Sequence, residues 1–339
     1  MKRILALLLI LSLVLGLVMG CGQSVDEEEP KVENEATAEV PEEEKLRVAL
    51  ALAGPVNDMG WNASAFEGLK EAEKLFDIEA TYQENVQQSD MEEVFRNYAL
   101  AGYNLIIGHG FQFGDALMKV SEEFPDLKFV VTSSDISKAP NLASVNLDNE
   151  QKGFLAGAVA ALLTKTNTVG YIGGQEIPPI KGTAIGFEAG AKYINPDIKV
   201  LSTFTGSFED VNKAKEVALA MISENADVIM ANANQAGLGP IEACQEKGVL
   251  SIGSNQDQNE IAPDTVVTSA IQSSPILIKF LVEKVQKGEF EPKFYNLGVA
   301  EGAVYLAPWH GFEDKIPQEV KDKVEEITEG LRAGQIEYK

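Results

Sequence analysis

The residues of this chain that could do chemistry are aromatic rings and carboxamides, placed where short apolar runs give way to helical patterns. Trp61 and Asn62 form the first set, and Phe208 with Glu209 and Asp210 the second. Asn232, Asn234 and Gln235 make a third, and Asn255, Gln256 and Asp257 a fourth. Two aromatic rings can hold a flat ring between them, and carboxamides read its edge because each carries donors and an acceptor. One such set alone is ordinary turn chemistry. Four sets at the same end of predicted strands describe a pocket for a small, planar, polar ligand.

Other chemistries fit poorly. The 339 residues hold only two histidines, His109 and His310, which makes a His-rich metal site implausible. His109 follows a strand end in Gly108-His109-Gly110 and is expected to line a cleft. No Gly-x-Ser-x-Gly elbow and no Walker A sequence is present, and the Gly108-x-Gly110 pair misses the dinucleotide-binding spacing by one residue. No cofactor and no metal is expected, and nothing demands an enzyme. The cysteines are Cys21 and Cys244. Cys244 falls in an apolar pattern with Ile241 and Ala243 and reads as a small core residue. A formal net charge of −24 argues against nucleic acid as a partner, because phosphate neutralisation needs clustered Lys and Arg.

The elements that must position these side chains alternate between strand and helix patterns, which predicts a parallel α/β sheet. Leu46–Leu52 is nearly unbroken apolar after Arg47, as in a strand buried on both faces. The helix after it places Ala65, Phe66, Leu69, Ala72, Leu75 and Phe76 at helical spacing, with Ser64 and Glu67 as a capping box or Asn62 as an alternative cap. Trp61 is then expected on the loop between them. Further strands are predicted at 78–82, 104–108, 127–132 and 142–146, with helices at 90–101 and 113–124. The rhythm restarts after Asp148. A wholly buried helix is expected at 154–163, strands at 168–172, 198–204, 228–231, 249–252 and 265–271, and helices at 180–194, 210–224, 239–247 and 275–287. Two such runs describe two similar lobes with the ligand between them.

Residues 1–20 read as a secretory leader: basic Lys2 and Arg3, then an apolar run from Ile4 to Val18. Leu17-Val18-Met19-Gly20-Cys21 resembles a bacterial lipobox, in which Cys21 is lipidated and becomes the mature N-terminus. Residues 21–45 are rich in Glu, Pro, Ala and Thr with almost no large apolar side chain, and are expected to form an unfolded acidic tether.

Several motifs in consistent order resemble the basic membrane protein (BMP, PnrA-like) family of lipoprotein substrate-binding components of ABC transporters. They are Asn57-Asp58-x-x-Trp61-Asn62, Phe154-Leu-Ala-Gly157, Val169-Gly-Tyr-Ile-Gly-Gly174, Gly186-Phe-x-Ala-Gly190, Asn195-Pro196, Gly206-Ser-Phe-x-Asp210, Gly237-x-Gly239 and Ile252-Gly-x-x-x-Asp257-Gln258. The resemblance spans Leu46 to Lys287. It implies a type I periplasmic-binding-protein fold, two doubly wound parallel-sheet lobes joined by a hinge with three crossovers. On this pattern 46–147 with about 272–298 form the N-terminal lobe, and 148–271 with about 299–339 the C-terminal lobe. The better-understood members bind purine nucleosides with the base stacked between two aromatics. By position, Trp61 replaces the usual Phe, Phe208 is the second ring, and Asn62 matches the family's Asn. Asn255 stands where such members have an Asp and Gln272 where they have a Lys, the charged groups that contact ribose hydroxyls there. Leu52 replaces an acidic residue before the first loop, and Ser133 stands where an Asp often ends the fourth strand.

The expectation is an extracytoplasmic, lipid-anchored, monomeric receptor of an ABC importer. It binds a purine nucleoside or free base through Trp61, Asn62, Asp58, Phe208, Asn232, Asn255, Asp257, Gln272, Ser133 and His109, and its protein partner is a membrane permease. The alternatives are a sugar or other polar metabolite in the same fold, a ligand-sensing surface receptor, and, least, a nucleoside-cleaving enzyme.

Overall fold

In β1 (Arg47–Leu52), Val48, Leu50 and Leu52 enter one core and Ala49 and Ala51 another, so the strand is covered on both faces. This computed structural model describes residues 45–58 and 60–338. The leader, Cys21 and nearly all of the acidic tether lie outside the described residues.

After β1 come α1 (Trp61–Leu75), β2 (Glu79–Gln83), α2 (Met91–Leu100), β3 (Leu105–His109), α3 (Gly114–Glu123), β4 (Lys128–Thr132) and β5 (Leu142–Leu147). The chain then enters a second lobe: α4 (Asn149–Leu163), β6 (Thr168–Gly173), α5 (Pro178–Ile194), β7 (Lys199–Phe204), α6 (Val211–Ser223), β8 (Val228–Asn232), α7 (Leu238–Lys247), β9 (Leu250–Asn255) and β10 (Val266–Gln272). It returns through α8 (Ser274–Gln286) to β11 (Phe294–Leu297), which pairs parallel with β5, and crosses again to β12 (Val304–Leu306), antiparallel to β10, before α9 (Gln318–Arg332). The first sheet runs β11-β5-β4-β3-β1-β2 and the second β12-β10-β9-β8-β6-β7. The chain therefore passes between the sheets three times, after β5, after β10 and after β11. This is the two-lobed α/β fold that the residue pattern implies.

The elements differ from the expected ones where their caps were misread. Helix α1 begins at Trp61, so the tryptophan is helical and not part of the loop. No Ser64–Glu67 box forms. The Asp58 carboxylate caps instead, accepting from the backbone N–H of Gly60 at 3.0 Å, Asn62 at 3.1 Å and Ala63 at 3.0 Å. Helix α4 starts five residues before Phe154 because Asp148 caps it, its Oδ1 accepting from Gln151 N at 2.9 Å. Strands β11 and β12 escaped notice because they are very short. Helix α9 has a clear signal in Val320, Val324, Ile327 and Leu331, all buried.

Helices α4 and α5 cross at backbone contact. A Cβ at Gly153 or Gly157 would collide with the carbonyl of Thr183 or Phe187, and one at Gly186 or Gly190 with the carbonyl of Glu150 or Phe154. Two glycines four residues apart on each helix thus set the approach, and α4 is buried nearly all round as a result. Gly157→Ala should lower the stability of the folded protein by about 2 kcal/mol or more, since overpacking at backbone contact cannot be relieved by a rotamer change. Urea midpoints of the variant and the parent protein check this.

Candidate functional site

Each sheet has one position where the strand order turns back. In the first sheet β1 lies between β2 and β3, and in the second β6 lies between β7 and β8. Connections leaving the strand ends there run to opposite faces and open a crevice at the carboxyl ends. Trp61 after β1, Phe111 after β3, Gln175 after β6, Phe208 after β7 and Asn232 at the end of β8 all line one cavity of about 430 Å³. That volume suits a small organic ligand.

The first-lobe wall is built on Asp58. Besides the three backbone donors, its Oδ2 accepts from Asn62 Nδ2 at 2.8 Å, and Asn62 Oδ1 in turn accepts from Gly54 N at 3.4 Å. Asn62 is therefore used mainly in holding the loop. Trp61 is half-buried and has one face on the His109 imidazole, with ring centroids 4.2 Å apart and planes 17° apart. His109 Nε2 lies 3.3 Å from the Trp61 carbonyl and Nδ1 lies 3.2 Å from Thr132 Oγ1. Burial pushes this imidazole down to about 3, so it is neutral and stacks as a plain aromatic.

The second-lobe wall is built on Phe208 and a chain of buried polar groups. Gly174 leaves the space that the Phe208 ring occupies, and the Phe208 carbonyl accepts from Ala236 N at 2.9 Å. Asn232 Nδ2 donates to Thr183 Oγ1 at 3.2 Å, while its Oδ1 accepts from Ser254 Oγ at 3.1 Å. Asn255 holds a left-handed backbone (φ 67°), tolerable for Asn, and its Oδ1 accepts from Lys152 Nζ at 2.9 Å. Gln272 Nε2 donates to Leu147 O at 3.1 Å and Asn149 Oδ1 at 3.0 Å, tying the end of β10 to the first crossover. Ser133 reaches the cavity from the end of β4, also with positive φ (55°).

Two residues expected at the ligand lie elsewhere. His109 is 1% exposed and sits behind Trp61, because the last residue of β3 points inward under α1. Asp257 turns away from the cavity and accepts from His310 at 2.6 Å on the surface of the second lobe. Sequence reasoning passed over Lys152, which is 1% exposed and lines the cavity. The signal that could have found it was Asp148 as a helix cap, which puts Lys152 in the first turn of a largely buried helix, where a charge must face something polar. Phe111, directly after the Gly108-x-Gly110 pair, lines the cavity too. Cys244 is buried, and burial pushes its thiol up to about 12, as an inert core residue requires.

The buried imidazole makes stability depend on pH. Its folded value of about 3 lies below the ordinary 6.5, so between these the unfolded chain binds a proton that the folded chain does not. Stability should then fall as pH drops from about 6.5 towards 3, by up to about 1.4 kcal/mol per pH unit. His109→Gln should remove this component, so urea midpoints of variant and parent protein should converge as the pH is lowered.

The sequence pattern of the family described as "ABC transporter substrate-binding protein PnrA-like" matches residues 45–333. Basic membrane protein A of Borreliella afzelii is 32% identical over 292 residues, covering 83% of this chain and 88% of that protein. A purine-binding protein of Brucella abortus is 30% identical over 298 residues, covering 87% and 83%. A crystal structure of an ABC transporter solute-binding protein from Aeropyrum pernix superposes with a TM-score of 0.75 at 22% identity, covering 86% and 92%, which concerns the fold alone. With a match of this extent, and with a ligand-sized cleft between its two sheets, the chain belongs to the PnrA-like, basic membrane protein family of ABC transporter substrate-binding proteins.

Proposed function

We propose that this protein is an extracytoplasmic lipoprotein that closes on a purine-type solute, as free base or nucleoside, and delivers it to an ABC permease. The observation that carries this reading is the placing of Trp61 and Phe208, on opposite lobes, at one cavity of about 430 Å³. A flat heteroaromatic ring between them stacks on both faces while carboxamides meet its edges. The purine-binding name of the Brucella abortus relative supports the same ligand class, and the Leu-x-x-Gly-Cys21 sequence supports the lipid anchor.

Two hydrogen bonds join the lobes, one of them between residues that line the cavity. Asn234 Nδ2 donates to Asp58 Oδ2 at 3.3 Å, and Gln256 Nε2 donates to Glu67 Oε2 at 3.2 Å. Both join groups of the first lobe to loops of the second, so they form only when the lobes approach. Closure of this kind shuts water out and lets both rings reach the ligand together.

Base–aromatic stacking contributes roughly 1–3 kcal/mol per base, and about 1.4 kcal/mol is tenfold in affinity. Protein stripped of bound solute by reversible denaturation should show a higher unfolding temperature with purine bases or nucleosides, and Trp61→Ala or Phe208→Ala should each weaken binding roughly 5- to 150-fold. A rise with simple sugars alone, or purine binding indifferent to both substitutions, would replace the purine with a sugar-like solute. Release of free base from a nucleoside on incubation would replace the receptor with an enzyme.

A further inference from the structure

Lys152 is the one buried lysine or arginine among the described residues. Its Nζ bonds Asn255 Oδ1 at 2.9 Å and comes within 3.5 Å of Ser254 Oγ, both neutral oxygens. An ammonium carries three hydrogens, and Lys152 is among the residues that line the cavity. Burial alone shifts its proton affinity, down to about 7, with no carboxylate acting against it. The acids lining the same cavity are Asp58 and Glu209. Asp58 takes donors from its own loop and from Asn234, and Glu209 sits exposed on the loop after β7. While it is protonated Lys152 only donates, so Asn255 presents Oδ1 to it, which leaves the Asn255 amide hydrogens as donors for whatever lies alongside. Cation and amide together form a donor-only corner.

A buried ammonium without a counter-charge is costly, and that cost is offset if the bound solute carries the negative charge. Resting on the purine reading above, we infer that Lys152 selects purine-type ligands with an anionic edge, oxopurines such as urate or xanthine that release a ring proton near neutrality. The ligand then completes an ion pair of which the protein supplies one half. Neutral purines fill the same stacked position but leave the ammonium without its partner.

Calorimetric titration of the protein and of Lys152→Met with urate, xanthine, adenine and inosine at neutral pH tests this, together with thermal unfolding of both ligand-free proteins. Urate should bind roughly tenfold or more tightly than adenine or inosine, and the substitution should collapse that preference. Ligand-free Lys152→Met should unfold at a higher temperature than the parent, because an uncompensated buried charge is gone. A lysine kept only for structure gives the opposite, a lower unfolding temperature. Neutral purines binding as tightly as urate, or a substitution that weakens all four ligands alike, overturns the inference and leaves the purine reading intact. If none of the four binds, both are overturned.

Discussion

The Asp58 carboxylate is the interaction on which the site depends. Its two oxygens collect three backbone N–H groups at the start of α1, the Asn62 amide, and the Asn234 amide from the other lobe. A negative charge at a helix N-terminus is favoured by the helix dipole and by the unpaired N–H groups there. Here the same charge fixes the first turn of the helix, and with it the direction of Trp61. It also offers the second lobe a polar contact at the point of closure. Loss of that carboxylate would free the loop, the ring and the latch together.

Around that point the fold supplies two rigid faces. Helices cover the faces of both largely parallel sheets, and the reversal of strand order at β1 and β6 puts a crevice at the carboxyl ends of each. The crossovers after β5 and β10 lie beside the cavity, and Gln272 bonds one to the other. Trp61 is held from behind by a neutral imidazole, so its outer face is presented to the cavity without needing the ligand to order it. Preorganisation of this kind lowers the cost of binding.

Much of this was legible in the sequence. Apolar runs alternating with helical spacing located every strand up to β10, because a strand buried on both faces needs an apolar run and little else writes one. The junction positions of Trp61, Phe208, Asn232 and Asn255 followed from the same pattern. Four features were not legible in it. The capping role of Asp58 depends on how the loop folds back, so spacing pointed wrongly to Ser64 and Glu67. The inward turn of His109 and the outward turn of Asp257 depend on neighbours far along the chain, α1 in one case and His310 in the other. Lys152 was hidden by a helix start placed too late, which left it outside the buried element that carries it. Strand β11 reads as a strand only through pairing with β5, 150 residues earlier.

The central claim is that a flat heteroaromatic ligand lies against Trp61, and the indole's own fluorescence reports on it. The chain has a second tryptophan, Trp309, packed against the core of the second lobe and absent from the cavity lining. In a Trp309→Phe protein, Trp61 is the sole indole emitter. Titration with a purine should quench that emission in a saturable way, with the same midpoint as binding measured by calorimetry. Purine binding by calorimetry with Trp61 emission unchanged, or emission that responds to sugars and not to purines, would contradict the stacked-ring account.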